Sequence, residues 1–367
     1  MNKLIIYLKN FDWILFSAVF LLLCFGLVEI YSIATGRGGA DLLNFKKQVV
    51  FIVIGLMLLF FFAFVDYNIL KNSVKYLYLL AIALLGAVLV FGSTIKGTKG
   101  WFNLFGLGIQ PVEFAKIVLI ILLAYFFSSR AIKIRSLKQL IISGLISLPL
   151  VFLTFIQPDF GSAVLLFLIW IFMLAVAGFD KKYFIVLAIA ALMVGASLWI
   201  FSFQDYQKNR IMTLFHPDKQ NLVAGYNAAQ AMIAVGSGEI IGRGLGFGSQ
   251  SQLKFLPEAQ TDFIFAVISE ELGFLGSGLV FLFFFIIIYR CLVAIRKINN
   301  DFGIFFVLGM LGLIFIEMFI NISMNIGILP IVGIALPFLS YGGSSIIASL
   351  IMIGIIENII IKSKINY

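Results

Sequence analysis

Long runs without charge, broken by short polar interruptions, make up most of this chain. Crossing a hydrocarbon core of ~30 Å takes about 20 apolar residues of α-helix. Runs of that length recur from "DWILFSAVFLLLCFGLVEI" near the start to "SSIIASLIMIGIIENIII" near the end. The pattern predicts spans at 12–33, 47–65, 73–93, 112–127, 138–156, 162–178, 182–201, 263–295, 304–325 and 343–361, ten in all. Backbone groups in lipid must be satisfied within each segment, so the expected fold class is all-α. It is a polytopic bundle forming one membrane domain over residues 1–367.

Two stretches break the rhythm. Residues 202–262 read as one large extracytoplasmic loop between the seventh and eighth spans, with the only histidine, His216, and the glycine-rich run "GSGEIIGRGLGFGSQSQ". Within it, "YNAAQAMIAVGSG" has apolar residues at helical spacing, which predicts an amphipathic helix on the membrane near 225–235. The second stretch, "NIGILPIVGIALPFLSYGGSS" at 325–345, has two prolines, several glycines and no charge. It predicts a re-entrant, non-helical segment before the last helix, tolerated at membrane depth where it lines a cavity.

Composition agrees: 62% hydrophobic and 12% charged residues leave too little polar surface for a soluble globule. The net charge of +9 would suit nucleic acid only if it formed a stripe on a soluble domain. Instead the cations sit in short clusters such as Lys71 and Lys75, Arg130 to Lys138, and Lys181 with Lys182, all on one side of the predicted topology. By the positive-inside rule that side is cytoplasmic, which places both termini there and calls for no nucleic-acid partner. The first apolar segment is too long for a signal peptide and lacks a small-residue cleavage site, so it is read as a retained helix. Cys24 and Cys291 fall in different parts of the bundle and suggest neither a disulfide nor a metal site.

Candidate chemistry lies at the outer boundary. Asp262 stands where the long loop meets the eighth span, reachable from water yet beside lipid. It or Thr261 could cap that helix, and Asp262 could equally be a reactive carboxylate; spacing leaves both open. Glu270 and Glu271, two turns on, read as structural. In "QPVEFAK", Glu113 and Lys116 share a helix face and can pair, as a structural bridge or as an ammonium offered to phosphate. Lys46 and Lys47 in "FKKQ" read as snorkelling cations, and Asp159 in "QPDFGSA" as a helix cap. Glu29 and Glu317 lie inside spans and need partners that the sequence does not name, while Arg210, Arg243 and Lys254 offer loop cations to a polyanion. The glycine run lacks G-x-x-x-x-G-K-[ST] and follows no strand, so no P-loop is read. One histidine weakens any Ser-His-Asp proposal. The remaining set of carboxylates and cations suits an amphiphile with an anionic head. A lipid-linked sugar pyrophosphate fits, because its leaving group is already activated and needs a base and cationic stabilisation.

The segments "FKKQ", the Trp101–Phe102 pair, "QPVEFAK", "QPDFGSA", "GYNAAQAMIAVGSG", "FLPEAQTDFIFAVISEELGFLG" and "LPFLSYGGSS" occur in order over nearly the whole chain. In them the chain resembles the SEDS proteins (shape, elongation, division and sporulation), and within these the RodA type. The resemblance implies a peptidoglycan glycosyltransferase that polymerises lipid II on the outer face of the bacterial cytoplasmic membrane. Asp262 then matches the catalytic aspartate, a general base toward the acceptor hydroxyl, and undecaprenyl pyrophosphate is the leaving group. Lys47, Trp101, Glu113, Lys116, Asp159, Arg210, Gln230 and Ser344 fall at substrate-binding positions of the pattern. A divalent cation, Mg or Mn, is the one cofactor the chemistry could use at the pyrophosphate. Implied partners are a class B penicillin-binding protein and elongation-complex membrane proteins, and "ILPIVGIALPF" is closer to the elongation type than to the division type. Four positions depart from the family pattern: Gly100 for an arginine, Val112 and Ala231 for serines, and Gln260 for a histidine. Two other classes use the same features. A lipid II flippase would draw on Glu29 and Glu317, and a non-catalytic scaffold would need the loop but not Asp262.

Overall fold

The computed structural model describes residues 3–36, 41–95, 97–104, 107–129, 136–201, 208, 212 and 224–365. A short helix α1 (Lys3–Asn10) leads into α2 (Trp13–Ala34), α3 (Leu43–Phe64), α4 (Tyr67–Asn72) and α5 (Val74–Phe91). Three strands follow, β1 (Ser93–Ile95), β2 (Thr98–Leu104) and β3 (Leu107–Ile109). Then come α6 (Pro111–Ser128), α7 (Leu137–Ile156), α8 (Phe160–Val176), α9 (Lys181–Phe201), α10 (Ala224–Ser237), α11 (Ser249–Gln252), α12 (Ile264–Ile295), α13 (Asp301–Asn325) and α14 (Gly343–Ile365).

Each predicted span coincides with one of these helices. Among the described residues nine are long and apolar enough to cross a membrane, and α8 falls just short at 17 residues. The chain is thus a multi-pass helical membrane protein. Lipid offers helices no hydrophobic drive to associate, so small residues and close packing do that work. At Gly354 a Cβ would run into the backbone of Leu59, and α14 and α3 make the most extensive helix pair in the molecule. The central helices α6, α13 and α14 are largely buried, whereas α9 buries no residue at all.

The expected single span at 263–295 is broken. Gly273 has φ 65° and ψ −157°, a conformation closed to residues with a Cβ, and splits α12 into two half-helices. The orphaned backbone groups are taken up by the loop before α12. Arg243 and Gly244 N–H donate to the Glu270 and Glu271 carbonyls at 3.0 and 2.9 Å, and Phe274 and Leu275 N–H donate to Glu239 and Ile240 at 2.9 and 3.1 Å. The carboxylates next to the break fasten the same loop. Glu270 accepts from Gln250 N–H at 2.7 Å and Ser251 N–H at 3.1 Å, while Glu271 accepts from Ser32 Oγ at 2.5 Å, Gln252 Nε2 at 2.9 Å and Gly246 N–H at 3.0 Å. Both side chains are fully buried, in keeping with their structural reading.

The amphipathic helix expected near 225–235 is α10. Its Ala231 and Ala234 are packed against Leu256, Ala259, Phe263, Ala266 and Val267 rather than left for lipid, while Met232 and Ile233 stay exposed. The sheet between α5 and α6 has no counterpart among the predicted elements. It is an antiparallel meander, β1-β2-β3, with Trp101 opposite Ser93 and Phe102 opposite Ile109. Residues 326–342 form neither helix nor strand, as their prolines and glycines predict.

Candidate functional site

The ends of α3, α6, α8 and α14, the turn before α12, Glu317 of α13, the sheet and the irregular 331–335 segment line a cavity of about 480 Å³. Its wall contains Lys47, Trp101, Glu113, Lys116, Asp159, Asp262 and Ser344, so seven of the nine sequence-predicted site residues meet in one place. Gln230 is half-buried on α10 and is not on that wall, and Arg210 lies outside the described residues. Lys47, expected to snorkel, instead lines the cavity from the first turns of α3.

Proline at the first position of α6 presets the helix and puts Glu113 in its first turn, one turn before Lys116. The expected pair forms at 2.8 Å and gains a third member, Glu317 of α13, at 2.6 Å from the same ammonium. Lys116 has 5% of its side chain exposed, so the two carboxylates compensate a charge with almost no water around it. Asp159 caps α8, accepting from Ser162 N–H at 3.0 Å, and its other oxygen accepts from Gln110 Nε2 at 3.1 Å. The cap reading holds, and the residue also lines the cavity. Burial pushes its carboxyl above the usual aspartate value against the opposing pull of the Ser162 hydrogen bonds. The Ser344 hydroxyl accepts from Gln110 N–H at 2.9 Å and reaches the Gly108 carbonyl at 3.4 Å, which ties the start of α14 to the β3–α6 junction.

Asp262 is not the cap of α12, and neither is Thr261. The N-cap position falls on Phe263, whose side chain makes no capping bond, and Thr261 Oγ turns back to Glu258. Asp262 belongs to a turn in which Thr261, Asp262 and Phe263 N–H all point to the Glu258 carbonyl at 3.1–3.3 Å. Its carboxylate faces the irregular segment, for a Cβ at Gly333 would stand 3.6 Å from Oδ2. Of the departures from the family pattern, Gln260 accepts from Asn44 Nδ2 at 2.8 Å, Gly100 stands beside Gln157, and Val112 and Ala231 are buried. Glu29 is fully buried away from the cavity wall, and among the described residues neither of its oxygens has a hydrogen-bond partner.

Formal charges on the wall are two cations, Lys47 and Lys116, against four carboxylates, Glu113, Asp159, Asp262 and Glu317. Among the described residues no group of three or more His, Cys, Asp or Glu side chains is arranged to hold a metal by itself. The cavity therefore offers hard oxygen donors and an excess of negative charge. Donors of this kind could supply one or two carboxylate ligands to an Mg²⁺-like ion.

Comparison with known proteins gives a consistent answer. Peptidoglycan glycosyltransferase MrdB of Escherichia coli K12 is 36% identical over 341 residues, covering 92% of this chain and 90% of the relative. Stage V sporulation protein E of Bacillus subtilis is 34% identical over 360 residues, covering 95% and 96%. Among solved structures, a chain from a study of the structural coordination of polymerization and crosslinking by a peptidoglycan synthase complex superposes with TM-score 0.82 at 27% identity, over 96% of this chain and 98% of that one. Thermus thermophilus rod shape determining protein RodA superposes with TM-score 0.72 at 25% identity, over 97% and 98%. The model of the FtsW/RodA/SpoVE family, described as cell cycle protein, matches residues 12–365, and the chain belongs to that family.

Proposed function

We propose that this chain is a peptidoglycan glycosyltransferase that polymerises lipid II into glycan strands for cell-wall elongation and rod shape. The observation that carries the reading is the meeting of Asp262, Lys47, Trp101, Glu113, Lys116 and Asp159 on one cavity wall. Asp262 is the general base: it takes the proton from the GlcNAc 4-hydroxyl of the acceptor as that oxygen bonds to C1 of the donor MurNAc. The C1–phosphate bond breaks on the opposite face, undecaprenyl pyrophosphate leaves with the electron pair, and the linkage is β-1,4 with inversion. Charge at the pyrophosphate is met by Lys47 and by Arg210 from the outer loop. Lys116 is committed to Glu113 and Glu317, and its part is to hold the base of the cavity together. The excess of carboxylates makes room for a divalent cation, with Asp159 as the wall carboxylate outside the Lys116 pairs that would hold it; bound, it would neutralise pyrophosphate charge.

The cavity opens to the outer side of the bacterial cytoplasmic membrane, with α8 as the tenth crossing and both termini inside. The working partner is a class B penicillin-binding protein. Support comes from the superposable chain in a peptidoglycan synthase complex.

A flippase reading draws on Glu29, whose oxygens have no hydrogen-bond partner among the described residues. Incubating purified protein with lipid II separates the two. A glycosyltransferase yields glycan and releases undecaprenyl pyrophosphate in proportion to the linkages made, whereas a flippase moves lipid II across vesicles and releases none.

A further inference from the structure

Helix α12 begins without a cap of its own. Phe263 at the N-cap position cannot accept a hydrogen bond, yet the first-turn N–H groups of any helix need acceptors. One acceptor arrives from another helix: Asn325 Oδ1, at the end of α13, takes the Ala266 N–H at 3.1 Å. The amide group of the same side chain turns the other way and donates from Nδ2 to the Asp262 carbonyl at 3.0 Å.

One turn earlier, Asn321 repeats the contact. Its Nδ2 donates to the Asp262 carbonyl at 3.0 Å and to the Ile334 carbonyl at 2.7 Å, which accounts for both of its amide hydrogens. Both asparagines are fully buried. The two residues before Asp262 are held by the irregular segment, the Thr261 carbonyl by Ser340 Oγ at 2.6 Å and the Gln260 carbonyl by Tyr341 N–H at 2.7 Å. The peptide that carries Asp262 is thus held by α13 at its own carbonyl and by the irregular segment at the two carbonyls before it, and Asn321 also ties α13 to the 331–335 segment facing the Asp262 carboxylate.

We propose that Asn321 and Asn325 are positioning residues for Asp262: they fix its backbone against α13 and cap α12 in its place, so that the carboxylate is aimed into the cavity. This rests on Asp262 being the base. Misplacing a reacting group by ~1 Å costs up to about 10²-fold in rate, so the loss should fall on turnover rather than on substrate capture.

The test uses the full-length protein in detergent or nanodiscs with lipid II. Asn325→Leu and Asn321→Ala are each made alone and combined with Asp262→Asn. In the wild-type background each single variant should lower kcat by roughly 10- to 100-fold, with KM changed less than about threefold. Combined with Asp262→Asn, neither should lower the residual rate further, because a residue that acts only through Asp262 has nothing left to act on. Asn325→Asp keeps the capping oxygen but loses the amide donors, and it should behave like Asn325→Leu in turnover while keeping slow hydrogen exchange at Ala266. Should Asn325→Leu fail to fold, Asn321→Ala, which leaves the cap intact, carries the same cycle. Folded single variants with wild-type kcat, or losses that multiply with that of Asp262→Asn, overturn the inference. If Asp262→Asn alone keeps the wild-type rate, the general-base reading fails and the positioning role falls with it, a result distinct from the other two.

Discussion

Lys116 is the residue whose loss should be felt most in stability. Replacing it by methionine leaves Glu113 and Glu317 facing each other with no cation between them, and breaking a buried pair in this way costs about 3–5 kcal/mol. The measurement is thermal unfolding in detergent, and Glu317→Gln should cost clearly less because Glu113 still pairs. Asp159 gives a pH signature. Its raised value means the folded chain holds this proton more tightly than the unfolded one, so its contribution is present below the ordinary aspartate value of about 4 and declines as pH rises through the raised one. Asp159→Asn should lose that decline, visible as a flatter melting temperature against pH above about 4. At this scale the sequence was informative about residue types and blind to partners. Glu113–Lys116 is a local pair and could be read from spacing. Glu317 lies 201 positions from Lys116, and no periodicity links them. The Asn321 and Asn325 contacts to Asp262 were missed for the same reason. Their one visible signal was a pair of amides at i, i+4 in an otherwise apolar helix.

Elements were legible wherever hydrophobicity alone decides them. The ten apolar runs became helices because lipid leaves the backbone no other choice, and 326–342 stayed irregular because its prolines and glycines cannot continue one. The sheet was passed over: "TKGWFNL" follows a glycine at φ 84° but shows no polar–apolar alternation. Seven such residues beside 20-residue apolar runs give no strand signal, yet the strand places Trp101 on the cavity wall. The break in α12 was missed because Gly273 lies inside one span-length segment where a single glycine does not by itself end a helix, and only the loop that docks there shows that the helix ends and restarts. Gly273→Ala tests that docking. A Cβ at this φ and against the Ile240 backbone should cost roughly 1–3 kcal/mol. The cost should appear as a lower melting temperature together with faster amide exchange at Arg243, Gly244, Phe274 and Leu275.

Across the whole molecule, chemistry and fastening occupy opposite ends of the bundle. Ser344 of α14 is on the cavity wall, while Asn358, fourteen residues or about 21 Å further along the helix, accepts from Tyr67 N–H at 3.1 Å and donates to the Ala63 carbonyl at 2.7 Å. Around it Arg290 pairs with Asp12 at 2.7 Å, Lys362 pairs with Asp66, and Lys364 Nζ donates to the Asn10 carbonyl at 2.7 Å. The first and last helices are thereby sutured together at the end away from the cavity. Asn358→Leu leaves two buried backbone groups unpaired, at about 1–3 kcal/mol each. It should lower the melting temperature while leaving polymerisation per folded molecule unchanged. The central claim is that Asp262 carries the chemistry of the cavity at the other end. The direct measurement is the rate at which purified wild type and Asp262→Asn, matched for folding by their melting curves, polymerise lipid II in the presence of the class B partner. A rate from Asp262→Asn about 10²- to 10⁴-fold below that of wild type, the size of a lost general base, is the predicted result; equal rates from the two would contradict it.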